Sequence, residues 1–234
     1  MNRFEVKLSR VKQSVSLQIT KHFGPALNPL RYERGLDLRG VHFAGYTQFT
    51  SLELLGASRG VKAALGLWNL VQMPHGGDLL IPSYSRTAPL RVFGSIPDQD
   101  LTVSDRLIRY RMRQTGEHKI SIRAVATCGR VGYLRENGRN TSLIIRNFTV
   151  NPSGEYVDAP WKDTGYLGFS TQACNVNSAL GQFSELEYHI PAIGHRTGAV
   201  RCDDTAQVWA FRGSAQQIRK FSRVLLTGLR MTGH

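Results

Sequence analysis

The chain has 234 residues, 41% hydrophobic and 20% charged, with 23 glycines and 9 prolines. These proportions exclude a collagen, a disordered tail and a disulfide scaffold, and the length suffices for one large domain with a real core. Thirty Lys and Arg against seventeen Asp and Glu leave a net charge of +13, which taken alone points to nucleic acid or another polyanion.

Period-2 alternation dominates the chain. Phe4, Val6 and Leu8 alternate with Glu5, Lys7 and Ser9, which predicts a first strand. Residues 24–40, with Pro25, Asn28-Pro29 and several charges, read as a long loop. Residues 48–55 and 65–72 continue the strand pattern, and Leu79-Leu80-Ile81-Pro82 is a short apolar strand ended by proline. Further strands are expected at 107–114, 119–126, 130–135, 142–150, 168–174, 185–190 and 205–211. Turn signals such as Glu136-Asn137-Gly138 and Asn151-Pro152-Ser153-Gly154 separate them. About ten short strands imply an all-β fold, a large antiparallel β-sandwich or barrel. One helix closes the chain: Ser214 is its N-cap, Gln217 lies three residues on, and Ile218, Phe221, Val224, Leu225 and Leu229 form one apolar stripe. No repeat, low-complexity segment or linker divides residues 1–234, so a single domain is expected.

No apolar run approaches the roughly 20 residues of a membrane helix, and no apolar segment of a signal peptide follows the charged N-terminus. Cys128, Cys174 and Cys202 are odd in number and widely spaced. The expectation is reduced thiols in a cytoplasmic protein with no membrane partner.

Three groups of residues could carry chemistry. On a strand, Glu185, Glu187 and His189 share one face while Leu186, Tyr188 and Ile190 take the other. Two carboxylates and an imidazole on one face suit acid–base work or metal binding, because mutual repulsion spreads their pKa values. The alternative is a solvated face offset by arginines. Arg109, Arg111 and Arg113 alternate with apolar residues, Arg123 follows with Lys119 and Ser121 on its own face, and Arg146 lies further on. If the two strands are neighbours, they form a basic concave surface whose guanidinium groups hold carboxylates, phosphates or vicinal hydroxyls; otherwise they are ordinary exposed faces. Third, Trp68, Asn69, Gln72 and His75 mix stacking and hydrogen-bonding groups as sugar sites do, although His75 also fits a turn. The pair Asp203-Asp204 reads as a cation ligand or a turn cap, and His118 as a solvated hairpin residue. Tyr156, Asp158, Trp161 and Asp163 read as a loop that rims a pocket. No nucleotide, hydrolase-elbow or zinc motif occurs, so no cofactor is expected.

Several strings together resemble a known family: Gly66-Leu67-Trp68-Asn69-Leu70 leading to Leu80-Ile81-Pro82, then Ala124-Val125-Ala126-Thr127 and Asn147-Phe148-Thr149-Val150-Asn151-Pro152. Gln172-Ala173-Cys174-Asn175-Val176-Asn177-Ser178 and the strand from Glu185 to Pro191 complete the set. They resemble a bacterial family of unknown function that is itself similar to the galactose mutarotase-like (aldose 1-epimerase-like) β-supersandwich proteins. The resemblance spans about residues 4–226 and makes the chain look like the C-terminal portion of a longer sandwich, or a shortened member. It implies a carbohydrate ligand, neutral or acidic, on a concave sheet face, and ring opening by a glutamate base on a late strand with a histidine acid. Glu185 or Glu187 matches the glutamate, and His75 or His189 the histidine. The mutarotase His-x-Tyr-Phe motif does not occur in the sequence. The alternatives are a nucleic-acid or polyanion binder, and an assembly subunit that pairs with a second copy or a partner chain at an exposed edge.

Overall fold

A computed structural model describes residues 1–9, 11–157 and 167–227. Two antiparallel sheets lie face to face. The larger one begins with β1 (Asn2–Leu8), β2 (Gln13–Pro25) and β3 (His42–Leu54). Beside β3 follow, in spatial order, β14 (Arg201–Gly213), β11 (Asn140–Asn147) and β10 (Arg130–Asn137), then β5 (Asp78–Pro82), β8 (Leu107–Arg111) and β7 (Leu101–Val103). The smaller sheet has the order β4 (Trp68–Pro74), β13 (Gly181–His189), β12 (Phe169–Ser178), β9 (Gly116–Arg123) and β6 (Leu90–Phe93).

Alternation builds the core. Leu52 and Leu54, Leu79 and Ile81, Ile108 and Tyr110, Ile120 and Ile122, and Leu186 and Tyr188 turn inward from the two sheets into one apolar cluster. Leu80, between Leu79 and Ile81, points the other way and packs beneath the helix. That is why 79–81 reads as a continuous apolar run: both faces of β5 are covered. The all-β sandwich with a C-terminal helix is therefore the observed fold.

The helix α1 (Ala215–Ser222) starts where the cap signal lies, with the Ser214 hydroxyl accepting from the Gln217 backbone N–H at 3.4 Å. Ile218 and Phe221 are buried on the outer face of the larger sheet, against Leu143, Ile145, Trp209 and Phe211. Full burial of such side chains stabilises by about 1.5–3 kcal/mol each. A π-helical turn, Arg223–Thr227, continues it, and Leu229 lies outside the described residues. The segment 26–41 covers the same outer face through Ala26, Leu30, Leu36 and Leu38, so this long loop is part of a second core. Strand β2 is not among the expected strands, although Val15, Leu17 and Ile19 alternate with Ser14, Ser16 and Gln18, and it runs unbroken to Pro25, into the start of the expected loop.

Candidate functional site

Leu186 and Tyr188 turn into the sandwich, so Glu185, Glu187 and His189 stand on the outer face of the smaller sheet. Register completes the neighbourhood. Glu185 lies opposite Gln72 on one side and Cys174 on the other; Glu187 lies opposite Leu70 and Gln172; His189 lies opposite Trp68. One strand further, Cys174 faces Lys119 and Gln172 faces Ser121.

Glu187 is the centre of this arrangement. It is 0% exposed, and its Oε2 accepts hydrogen bonds from the Trp68 indole Nε1 at 2.8 Å and the Lys119 Nζ at 2.8 Å. The Lys119 ammonium also lies 5.2 Å from the centroid of the Trp68 ring. The second oxygen, Oε1, is buried and has no hydrogen-bond partner. Burial raises the Glu187 carboxyl above the ordinary range, and the Lys119 charge only partly offsets this. Glu185, half-buried, adds a nearby negative charge and accepts from the Gln72 Nε2 at 3.0 Å. On the β4 side the face opens to solvent, with Trp68 48% exposed. On the β9 side, the Arg123 guanidinium stacks 5.1 Å from the Phe169 ring centroid.

The ligand atoms of Cys174, Glu185 and Glu187 lie within 4.8 Å of one another, so these three residues could hold a metal. Two features work against that. The Lys119 ammonium already takes a Glu187 oxygen, and burial pushes the Cys174 thiol up to about 12, which keeps it protonated. The arrangement suits instead a carboxyl group that exchanges a proton beside an open indole face.

Trp68, Gln72, Glu185, Glu187, His189 and Arg123 thus share one face, while four other expected site residues do not. Asn69 is turned inward by the same alternation that exposes Trp68, and its Oδ1 accepts from Lys21 and Gln48. His75 sits beyond the end of β4, three positions past Gln72, where its carbonyl accepts from the Arg135 Nε at 3.0 Å. Arg109 and Arg111 lie on the opposite side of the sandwich. Strand β8 pairs with β5 and β7 in the larger sheet, and the chain crosses to the smaller sheet before β9 begins. Arg109 and Arg113 both bind Asp78, the latter at 2.9 Å, and Arg219 binds Glu136. They line a groove of about 490 Å³ beside α1, and much of its charge is already paired.

Further expectations shift for similar reasons. Asp203 faces outward to Arg201 at 2.9 Å, whereas Asp204 faces inward and accepts from the Tyr188 hydroxyl at 2.6 Å, so neighbouring aspartates on a strand cannot share a cation. His118 is buried, not solvated, and burial lowers its pKa. Tyr156 is fully buried, with its hydroxyl accepting from the Asn151 N–H at 2.9 Å, while Asp158, Trp161 and Asp163 lie outside the described residues. Lys119 and Cys174 were not among the expected site residues. Alternation already placed Lys119 on the Arg123 face, but only the order β13-β12-β9 brings it to Glu187. The three cysteines are free thiols, and no helix among the described residues is long and apolar enough to cross a membrane. In comparisons with protein-family models, curated proteins and solved structures, nothing matches this chain.

Proposed function

We propose that the outer face of the smaller sheet binds a carbohydrate and that Glu187 is its acid–base group. The observation that carries this reading is the state of Glu187. Its carboxyl is fully buried, one oxygen is held by Trp68 and Lys119, and the other is left without a partner beside a solvent-open indole. An indole face supplies the apolar platform on which a sugar ring stacks. Gln72, Glu185 and Lys119 supply the mixed donors and acceptors that hydroxyl groups need.

Opening an aldose ring requires a base at the anomeric hydroxyl and an acid at the ring oxygen. A carboxyl held above its ordinary range by burial is suited to receive and return that proton. His189, on the same face, is the partner for the ring oxygen. Calorimetric titration with galactose, glucose and glucuronate, with polarimetry of anomer equilibration, tests the reading. Trp68→Ala is expected to weaken aldose binding at least about tenfold, and Glu187→Gln to abolish any anomer equilibration. Aldose binding unchanged in both variants removes these residues from the site.

A further inference from the structure

A second polar group lies between the sheets, on the other side of β4 and β13. Asn69 is turned inward, and its Oδ1 accepts from the Lys21 Nζ at 3.0 Å and the Gln48 Nε2 at 3.2 Å. Next to Asn69 in the register stands Tyr188, and the Arg146 guanidinium lies 4.5 Å from that ring's centroid. Arg146 is 2% exposed, and its Nη1 donates to the Leu186 carbonyl at 2.9 Å.

The group has more donors than acceptors. Asn69 Nδ2 and Arg146 Nε are both buried and neither has an acceptor. An unmet buried donor is costly, and more so when charged. The charge is unbalanced as well. Among the described residues, neither Lys21 nor Arg146 has a carboxylate within 4 Å. The carboxyl of the group, Asp204, accepts from the Tyr188 hydroxyl at its Oδ2, and its charge acts on Arg146 from beyond salt-bridge distance. Burial and the Arg146 charge together pull the Lys21 ammonium below its ordinary value. A bridging water would meet the two N–H groups but would leave the excess of positive charge in place.

The way in is the edge of the smaller sheet. Strand β4 has no neighbour on its outer side, and β2 and β3 carry Lys21 and Gln48 past it. Phe23, opposite Gln48 in the register and 64% exposed, meets Tyr46 edge-on at 5.9 Å. An apolar wall therefore stands beside a cationic, donor-rich cluster of side chains. We propose that this cluster is a second ligand site, in which Lys21, Asn69 and Arg146 hold the oxyanion of a small molecule while Phe23 and Tyr46 flank its apolar part. An oxyanion is acceptor-only and negative, which suits two unmet donors beside an excess of positive charge. The site is independent of Glu187 and of the carbohydrate reading.

The test uses the full chain at constant ionic strength, titrated with sodium phosphate, sodium acetate and sodium chloride. Side-chain resonances of Asn69 Nδ2 and Arg146 Nε–H are followed together with calorimetry. Saturable binding of phosphate or acetate, with both resonances shifting, is expected; chloride at the same ionic strength moves neither. Arg146 variants risk the fold, so Lys21→Met, at an exposed position, carries the test and is expected to weaken the anion about tenfold. Lys7→Met, on exposed β1, removes the same charge elsewhere and leaves the affinity unchanged. Two results overturn the proposal: no saturable binding of either oxyanion, or equal weakening by the two lysine variants.

Discussion

Lys119→Met offers the sharpest test of how the outer face is held together. Its ammonium lies 2.8 Å from a carboxylate that is 0% exposed, and the lysine side chain itself is 16% exposed. Removing one partner of a buried pair costs about 3–5 kcal/mol when the remaining charge cannot neutralise. Glu187 can neutralise by taking a proton. Its carboxyl already sits above the ordinary range, and without the ammonium it rises further. A group whose folded pKa is raised contributes stability that is fully present below the unfolded value and lost as pH rises through the folded value. Above an unfolded value of about 4.3 both proteins lose stability together; the variant's extra penalty opens above the wild-type folded value and grows by at most about 1.4 kcal/mol per pH unit. At pH 5 the variant should lose about 1 kcal/mol, including the stacking of the ammonium on Trp68. At pH 8 the loss should reach about 3–4 kcal/mol. Urea unfolding at both pH values measures this, and Lys119→Met with Glu187→Gln should recover most of the pH 8 loss. Equal destabilisation at both pH values, or no recovery in the double variant, refutes the account.

Other consequences are as direct. Tyr188→Phe strips the hydroxyl from buried Asp204, whose carboxyl burial already holds high; the cost, by chemical denaturation, should be about 1.5–3 kcal/mol at pH 7 and shrink as pH falls through the raised folded value of Asp204. Gly77→Ala would place a Cβ 2.4 Å from the Tyr133 ring, which cannot withdraw because its hydroxyl donates to the Pro74 carbonyl at 2.7 Å and accepts from the Gly77 N–H at 2.7 Å; a loss of about 1–3 kcal/mol in the same assay is expected. Arg109→Met should leave aldose binding unchanged by calorimetry, since Arg109 sits on the far side of the sandwich, and a fall in affinity would reject the placement of the site. Alkylation at pH 8, followed by mass spectrometry, should label exposed Cys128 quickly and spare Cys174, whose thiol is pushed up to about 12.

The residues by themselves determined whatever depends on neighbours along the chain. Alternation sorted Glu185, Glu187 and His189 from Leu186 and Tyr188, and it held in the fold because a strand has no other way to orient successive side chains. The Ser214 cap and the Ile218, Phe221 stripe likewise mark a helix through local hydrogen bonding and a 3.6-residue period. The same rule gave the wrong company for Asn69, because four side chains close in sequence were read as one group although a strand sends them to two sides. What only tertiary structure decided is which strands are neighbours. Strands β8 and β9 are consecutive in the chain yet lie in different sheets, so Arg109 and Arg111 part from Arg123. Lys119 reaches Glu187 across 68 residues of sequence because β12 lies between their strands. The net charge of +13 shows the same division. Composition states the excess of lysine and arginine. Only the packing shows that some of it is spent on Asp78, Glu136 and Glu187, while Arg146 is buried between the sheets and Lys21 stays exposed, neither with a carboxylate within 4 Å among the described residues. Charge is a sum over residues, but pairing depends on distance, and distance here is set by sheet order.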